Sequence, residues 1–273
     1  MTEANEAERR RWNDDDWTRV WPRRERLTDT VTPILLETLA PMAGDRVLDV
    51  GCGGGRTTVA VAHAVAPDGA VVGADVSAQL LQLAESRAQA ERAFNVSFHR
   101  VDVQTDPIPN GPFDLALSQF GVMFFDEPVV AFENIRGQLR PSGRLVFACW
   151  REIELNPWFP GHAAAPFMPP PPEPAPGKSR TGPFTLADVD RVNGMLEAAG
   201  FEDVEETPYD LEIEVPRDAV YDDVQLQFLG VPDEQVESAH AAIGDYLQRF
   251  ETGGDELRFP IAFRIVSARV PAD

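Results

Sequence analysis

Cysteine is scarce in this chain, which has only Cys52 and Cys149 among 273 residues. Neither belongs to a C-x-x-C pair or stands near a histidine in the sequence. A metal site therefore has little support, and we expect none. Two reduced and buried thiols are typical of a cytoplasmic protein, and the cytoplasm is the location that the sequence predicts.

Long apolar runs are also lacking. No run approaches the roughly 18 residues that a transmembrane helix needs. Residues 3–11 are rich in charge, and no apolar stretch of the kind found in secretory signals follows them. The sequence therefore predicts neither insertion into a membrane nor a signal peptide.

Basic residues are few relative to acidic ones. Lysine and arginine total 24 against 45 aspartates and glutamates, which gives a formal net charge of −21. A field of this sign repels phosphate backbones and anionic lipid surfaces, so we expect no nucleic-acid partner. A small anionic molecule is not excluded, because a local group of arginines could hold it.

The most informative segment that is present covers residues 45–58, D-R-V-L-D-V-G-C-G-G-G-R-T-T. Residues 47–50 are typical of a short buried strand, the glycines turn the chain sharply, and apolar residues at helical spacing follow in 57–66. A strand, a glycine turn and a helix in this order open the nucleotide-binding domains of the α/β class. Glycine is required there where the backbone adopts positive φ or approaches a ligand closely.

The glycine spacing distinguishes two kinds of nucleotide. The dinucleotide pattern G-x-G-x-x-G fails, because Arg56 and Thr58 occupy its last glycine position in the two registers that fit the first two glycines. The pattern that stands is D-x-G-x-G-x-G, starting at Asp49. It resembles the first motif of class I S-adenosylmethionine-dependent methyltransferases, which share a Rossmann-like fold. A glycine-rich turn without a ligand is the alternative.

Strand and helix patterns continue to alternate along the chain. Strands are predicted at about 70–74, 96–101, 113–117 and 144–149, a sixth within 201–215 and a last one at 261–270. Helices are predicted at about 77–92 and 128–139. This order predicts an α/β fold with a doubly wound, mostly parallel sheet. The family resemblance implies seven strands, of which the last is antiparallel.

The same patterns divide the chain into a lid and a core. Residues 1–44 are predicted to form N-terminal lid helices, and residues 45–273 the methyltransferase domain, with insertions at about 151–183 and 209–260. The first insertion contains a segment, 166–177, in which seven of twelve residues are proline, which predicts a semi-rigid border of the site. Residues 12–40 and both insertions are expected to cover the substrate.

Two later segments carry the same resemblance. They are residues 117–125, L-S-Q-F-G-V-M-F-F, and residues 134–147, N-I-R-G-Q-L-R-P-S-G-R-L-V-F. They are similar to the post-strand motif and the Pro-x-Gly turn of small-molecule methyltransferases of the quinone and polyketide type. Together with the glycine turn, the matches span residues 45–150 in the order of the family. The resemblance implies the cofactor S-adenosylmethionine and leaves the acceptor open.

Ligands of open α/β sheets bind at the carboxyl ends of the strands. Asp75 ends the second strand, where a carboxylate can accept hydrogen bonds from both ribose hydroxyls, and a helix cap is the alternative. Asp102 ends the third strand, where the resemblance implies a contact with the adenine amino group, and a plain turn is the alternative. Phe120 and Met123 would border adenine and the methionine moiety, or only pack in the core. The predicted cofactor-binding residues are Asp49, Gly51, Gly53, Gly55, Asp75, Val76, Leu80, Asp102, Val103, Gln104, Ser118, Gln119, Phe120 and Met123.

Motifs of other methyltransferase classes are missing. The fourth strand does not end in the Asp/Asn-Pro-Pro-Tyr/Phe of enzymes that methylate base or glutamine amino groups. Ser118 stands where the magnesium-dependent catechol enzymes carry an acid, and the paired glutamates of protein arginine methyltransferases are not evident. The remaining interpretation is transfer of a methyl group to a small molecule by in-line displacement, without a metal.

Three tryptophans are candidates for substrate contacts. Trp17 and Trp21 precede the core, where many relatives place a lid helix, and Trp158 lies in the loop after the fifth strand. The first two could cover the cofactor, stack on an aromatic substrate or simply pack the lid on the domain.

One histidine and three arginines complete the candidates. His162 follows the fifth strand, where substrate should bind, and it is the candidate general base, with an exposed loop histidine as the alternative. The other three histidines are expected to be structural or on the surface. Arg23, Arg24 and Arg26 are predicted to form a solvated face.

Two rival functions stay open at this point. The residues in the last glycine position argue against a nicotinamide-dependent oxidoreductase. A non-catalytic protein that binds S-adenosylmethionine is not excluded, because methyl transfer needs no diagnostic side chain. The sequence also leaves the oligomeric state open, with a homodimer as one option.

Overall fold

Seven strands and eleven α-helices form the part of the chain that the computed structural model describes, residues 5–170 and 173–272. The strands are β1 (Arg46–Val50), β2 (Ala70–Asp75), β3 (Val96–Arg100), β4 (Phe113–Gln119), β5 (Leu139–Trp150), β6 (Glu202–Pro216) and β7 (Glu256–Arg269). The helices are α1 (Glu6–Trp12), α2 (Asp15–Arg24), α3 (Val31–Leu39), α4 (Arg56–Val65), α5 (Ala78–Ala90), α6 (Pro128–Gln138), α7 (Gly161–Ala164), α8 (Val189–Ala198), α9 (Arg217–Val220), α10 (Asp223–Phe228) and α11 (Val236–Gln248).

The strands form one mixed sheet with the order β3-β2-β1-β4-β5-β7-β6. Strands β1 to β5 pair in parallel, while β7 lies between β5 and β6 and is antiparallel to both. The predicted α/β class, the doubly wound sheet and the antiparallel last strand are therefore confirmed. The winding reverses between β1 and β4, and ligands of open sheets bind in the crevice at such a point.

The central strands are buried because helices pack against the sheet, with α3 on β4 and β5, and α4 and α5 on β2. In β1, Val47, Leu48 and Val50 are completely or almost completely buried. A parallel sheet that is covered in this way is built from continuous apolar runs. The edge strand β6 differs, because acidic side chains such as Glu205 and Glu212 point to solvent. Exposed charge on an edge strand opposes pairing with another chain.

Side-chain caps fix the start of two core helices. The hydroxyl of Ser77 accepts a hydrogen bond from the backbone N–H of Leu80 at the start of α5. The carboxylate of Asp188 accepts two such bonds at the start of α8. These contacts satisfy N–H groups that have no partner within the helix. Across the described residues, every helix is too short or too polar to cross a membrane.

The N-terminal segment and the second insertion lie against each other. Helix α2 contacts α9 and α10, although nearly two hundred residues separate the segments, as between Arg23 and Asp218. Two prolines of the first insertion, Pro171 and Pro172, lie outside the described residues. The described part of that insertion contains α7 and a short 3₁₀ turn at Ala165–Phe167.

Candidate active site

The glycine turn after β1 places three residues in the left-handed region. Gly51, Gly53 and Gly55 have φ angles of +67°, +52° and +78°. A Cβ on Gly53 would lie 2.8 Å from Cζ2 of Trp21, and a Cβ on Gly55 would lie 2.7 Å from that of Ala84. Gly53 therefore leaves room for the ring above the turn, and Gly55 allows α4 and α5 to pack closely.

Asp49 lies beneath this turn and does not line the cavity described below. It is fully buried, and its Oδ2 accepts hydrogen bonds from the hydroxyls of Thr57 (2.9 Å) and Thr58 (2.7 Å). Burial raises the pKa of Asp49 to about 6, against the opposing effect of these two hydroxyls. Asp49 therefore fixes the start of α4 under the turn.

Asp75 ends β2 and joins it to the glycine turn. Its Oδ2 accepts a hydrogen bond from the backbone N–H of Gly53 at 2.8 Å, and its Oδ1 accepts one from that of Ser77 at 2.9 Å. Burial raises the pKa of Asp75, although these N–H groups oppose the change. Each carboxylate oxygen can accept a further bond. The N-cap of α5 is Ser77, so helix capping does not explain why an aspartate stands at position 75.

Asp102 follows β3. Its Oδ1 accepts a hydrogen bond from the backbone N–H of Gln104 at 3.1 Å, which is the turn contact. Its Oδ2 is buried and has no partner within hydrogen-bond distance among the described residues, although the side chain of Asn5 lies near enough to oppose the rise in the pKa of Asp102. Burial raises the pKa of Asp102, and the N–H of Gln104 opposes this. A buried acceptor without a partner is costly, so a donor on a ligand would satisfy it.

The side chain of Gln104 points away from the cavity. Its Nε2 donates to Asp126 at 2.7 Å, and its Oε1 accepts from the backbone N–H of Glu127 at 3.1 Å. Gln104 therefore fixes the segment that leads into α6.

The end of β4 is held against β1 and turns sharply. The hydroxyl of Ser118 donates to the carbonyl oxygen of Val50 at 2.7 Å and accepts from the backbone N–H of Gly121 at 3.1 Å. Phe120 has a φ of +63°, and its ring stacks on Trp150 at 4.2 Å between centroids. The turn therefore places an aromatic face beside the crevice.

Gln119, also at the end of β4, is fixed by the N-terminal segment. Its Oε1 accepts from the hydroxyl of Thr32 at 2.9 Å, and its Nε2 donates to that of Thr28 at 3.4 Å. Both polar atoms of this side-chain amide are therefore held in place by the N-terminal segment.

These strand ends open into one cavity of about 680 Å³, a size that suits a small-molecule site. The predicted cofactor residues that line it are Gly51, Gly53, Asp75, Val76, Leu80, Asp102, Val103, Gln119, Phe120 and Met123. The predicted residues outside its lining are Asp49, Gly55, Gln104 and Ser118. The structure therefore brings the two strand-end acids and the aromatic run to one site.

All five tryptophans of the chain line this cavity. Trp12, which the sequence did not single out, packs edge-on against Trp17 and Trp21, with centroids 5.4 and 5.9 Å away. The indole N–H of Trp21 donates to Glu25 at 2.9 Å. This group lies over the glycine turn, whereas Trp158 packs against Trp150 at 4.8 Å in another part of the lining.

The lid is tied to the rest of the chain by buried polar contacts. Glu8 is almost completely buried, and its carboxylate accepts from the hydroxyl of Thr181 at 2.6 Å and from the indole of Trp12 at 3.0 Å. The amide of Asn13 donates to the carbonyl oxygen of Val76 at 3.0 Å. The N-terminal segment is therefore held against the strand ends.

His162 is not brought to the site. Its Nε2 lies 3.0 Å from the carbonyl oxygen of Ile153, and its ring stacks on Tyr246. It is absent from the described residues that line the cavity. The geometry therefore gives no support for a general base at this position.

The prediction that Arg23, Arg24 and Arg26 share one solvated face is wrong for Arg24. Its side chain is only 10% exposed and lines the cavity. Its Nη2 donates to Oδ1 of Asp222 at 2.7 Å. Sequence reasoning missed this contact because Asp222 lies in the second insertion, far along the chain.

The lining fits S-adenosylmethionine. The unpaired Oδ2 of Asp102 can accept the amino group of an adenine, and Asp75 retains acceptor capacity for hydroxyls. Across the described residues, no cluster of three or more histidine, cysteine or acidic side chains is arranged to hold a metal ion.

Comparison with known proteins agrees with this geometry. Residues 47–143 match the family described as a methyltransferase domain. Nocamycin O-methyltransferase of Saccharothrix syringae is 33% identical over 193 residues, which cover 67% of this chain and 68% of that protein. Aklanonic acid methyltransferase DauC of Streptomyces sp. (strain C5) is 31% identical over 113 residues, which cover 41% of this chain and 51% of that protein.

Solved structures show the same fold. The YcgJ protein of Bacillus subtilis gives a TM-score of 0.59 at 17% identity, over 88% of this chain and 97% of that one. The chain spans about half the length of several curated relatives that it matches. The longer match to the nocamycin enzyme, the glycine turn and the seven-stranded sheet together establish that the chain belongs to the class I S-adenosylmethionine-dependent methyltransferases, with S-adenosylmethionine as cofactor.

Proposed function

We propose that this chain transfers the methyl group of S-adenosylmethionine to a small-molecule acceptor without the help of a metal. The observation that carries the proposal is the shared cavity. Asp75, whose carboxylate is hydrogen-bonded to the glycine turn, and Asp102, which has an unpaired oxygen, line the same cavity as an aromatic group that contains Phe120.

Cofactor binding is assigned to the strand ends. Asp75 would accept hydrogen bonds from the ribose hydroxyls, and Asp102 would accept one from the adenine amino group. Val76, Leu80 and Val103, which line the same region, would border the base. Asp49 and Ser118 support this surface from below, because their contacts hold α4 and the end of β4.

The bound cofactor supplies an electrophilic methyl group, and the residues of this chain supply position and enclosure. The lid tryptophans and the aromatic rings at the ends of β4 and β5 line the cavity and would limit the access of water to a bound cofactor. Holding a nucleophile in line and keeping water out account for most of what such a displacement requires.

The acceptor side is assigned to the cover segments. Residues 12–40, 151–183 and 209–260 each contribute to the lining, for example through Thr28, Trp158 and Val220. Mostly apolar and aromatic walls favour a small organic acceptor, and the net charge of −21 opposes nucleic acid. We place the protein in the cytoplasm because both cysteines are free and buried. A homodimer stays a prediction.

The experiment begins with calorimetric titration of the chain with S-adenosylmethionine, S-adenosylhomocysteine and both nicotinamide cofactors. Incubation with methyl-labelled S-adenosylmethionine and a panel of phenols, enols and amines follows, with Asp75→Ala as the matched variant. We expect the adenosyl ligands to bind, the nicotinamides not to bind, and label to reach at least one acceptor.

Each rival function has its own outcome in this experiment. Binding of S-adenosylmethionine with no transfer to any member of the panel would favour a non-catalytic binding protein. Binding of a nicotinamide cofactor with hydride transfer would favour the oxidoreductase.

A further inference from the structure

Arg24 has one donor, Nε, that no described residue satisfies. Its Nη2 donates to Asp222 at 2.7 Å, and its Nη1 lies 3.4 Å from the carbonyl oxygen of Ala219. The Nε is buried and has no hydrogen-bond partner among the described residues. Since Arg24 lines the cavity, an oxygen on a bound molecule could complete its contacts.

The position of Arg24 is fixed from the second insertion. Asp222 precedes α10, and the same Oδ1 that binds Arg24 also accepts from the backbone N–H of Gln225. Ala219, Val220 and Gln225 line the cavity beside Arg24. The guanidinium is therefore presented by a rigid contact, and not by a mobile surface side chain.

No histidine or lysine occurs among the described residues that line the cavity. Two of its carboxylates, Glu8 and Glu25, are already engaged, Glu8 by Thr181 and Arg11 and Glu25 by Arg87. The other two, Asp75 and Asp102, are assigned to the cofactor. A neutral phenol or enol would find no free base here, so an acceptor that is ionised before it binds suits this lining.

The aromatic part of the lining indicates the shape of the acceptor. Phe120 and Trp150 stack with ring planes 12° apart, and Trp158 and Phe159 continue the aromatic surface. Flat rings pack well against such faces. A planar molecule would therefore have both a stacking surface and a polar contact within one cavity.

On the basis of the function proposed above, we infer that Arg24 recognises the acceptor, and that the acceptor is a planar aromatic molecule with an acidic hydroxyl bound as its oxyanion. The planar guanidinium is suited to such an oxygen. Burial lowers the pKa of Arg24, against the effect of Asp222, and a bound anion would stabilise the charged form.

With the acceptor bound as its oxyanion, the methyl transfer needs no general base. A lone pair of the oxyanion forms the new oxygen–carbon bond, and the electron pair of the carbon–sulfur bond stays on sulfur. The anion and the sulfonium become two neutral products, so no proton leaves during the step. Arg24 then acts by holding the oxyanion, which is a specificity role.

The test uses a matched pair of ligands, 2-hydroxy-1,4-naphthoquinone, which is ionised at neutral pH, and its neutral methyl ether, 2-methoxy-1,4-naphthoquinone. Each is titrated calorimetrically into the full chain saturated with S-adenosylhomocysteine. We expect the hydroxyl compound to bind about tenfold more tightly, as a charge-assisted hydrogen bond should give. In Arg24→Gln the preference should vanish while affinity for S-adenosylhomocysteine is kept.

Two further variants complete the design. Arg26→Gln, an exposed change in the same segment, should behave like the native chain. Arg24→Lys keeps the charge but lacks the Nε donor, so its preference should fall by about threefold or more. If Arg24→Gln does not fold, an unchanged preference in Arg24→Lys would overturn the inference.

The inference and the proposed function fail in different ways. Equal binding of both ligands, binding of neither, or a preference that survives in Arg24→Gln would refute the role of Arg24. Absence of S-adenosylhomocysteine binding by the native chain would instead refute the proposed function, and the inference with it.

Discussion

The backbone N–H of Gly53 donates to Oδ2 of Asp75 at 2.8 Å, across 22 positions of the sequence. This contact joins the end of β2 to the turn that follows β1. The same carboxylate lines the cavity. One side chain therefore shapes the glycine turn and faces the predicted ribose position at once.

Asp75→Ala should weaken the binding of S-adenosylhomocysteine by roughly 1.5–3 kcal/mol, the usual value for hydrogen bonds to a charged group. The loss has two sources, since the ribose hydroxyls lose their acceptor and Gly53 loses its partner. Isothermal titration calorimetry at neutral pH measures the effect.

Asp68→Ala is the matched control for this change, because Asp68 is exposed in the loop before β2 and does not line the cavity. It should leave the affinity within about twofold of the native value. Unchanged affinity in Asp75→Ala would remove the ribose assignment.

The raised pKa of the buried Asp49 carboxyl should make the stability of the chain depend on pH. The ordinary pKa of its carboxyl is 3.8, and burial raises it to about 6 in the folded chain. Between these values the folded chain binds more protons than the unfolded one, so the free energy of unfolding falls as pH rises through this window. The stabilisation is complete below pH 3.8 and is lost above about pH 6, a difference of about 3 kcal/mol.

Asp49→Asn removes this titration and keeps a side chain of similar size. The free energy of unfolding of the native chain minus that of Asp49→Asn should therefore fall from pH 4 to pH 7, by up to about 3 kcal/mol. Urea unfolding at several pH values measures both chains and cancels the titration of all other groups. A difference that is flat or rises with pH would contradict a raised pKa of the buried Asp49 carboxyl.

Gly55 is expected to be irreplaceable for packing. Its φ is +78°, and a Cβ would lie 2.7 Å from Cβ and 2.9 Å from Cα of Ala84. Gly55→Ala should therefore lower the free energy of unfolding by about 1–3 kcal/mol.

Gly194→Ala is the control, because Gly194 lies inside α8 with nothing within 4 Å of the added Cβ. This change should raise the free energy of unfolding by roughly 0.5–1 kcal/mol. Equal urea midpoints for both variants would refute the steric argument.

The positions of Asp75 and Asp102 could be predicted because they follow from local pattern. Buried runs mark the strands, and the carboxyl ends of neighbouring parallel strands meet at one edge of the sheet. The structure places both acids at the same cavity. The glycine turn was predictable for the same reason, since its φ angles are a property of a few consecutive residues.

The contacts that tie the predicted lid to distant parts of the chain, and the burial of Arg24, could not be predicted in this way. Arg24 and Asp222 are 198 positions apart, and Glu8 and Thr181 are 173 apart. Nothing in the charged stretch around Arg24 distinguishes a buried arginine from its exposed neighbours. His162, the candidate general base, packs on Tyr246 and is not among the described residues that line the cavity, so a catalytic role for it stays a prediction.

Trp21 should act at the cofactor, which is one of the roles that the sequence left open for it. Its ring lies so close to the glycine turn that a Cβ on Gly53 would be 2.8 Å from it, and its N–H donates to Glu25. Trp21→Ala should weaken S-adenosylhomocysteine binding by about 1–3 kcal/mol, because the turn loses an apolar cover. Trp21→Phe should lose less affinity, since it keeps an aromatic ring at this position.

Trp158→Phe is the control, because it changes a ring near Trp150 and should leave the affinity for S-adenosylhomocysteine nearly unchanged. Calorimetry on the three variants, with urea unfolding to check each fold, tests the assignment, and a larger loss in Trp158→Phe than in Trp21→Ala would reverse it.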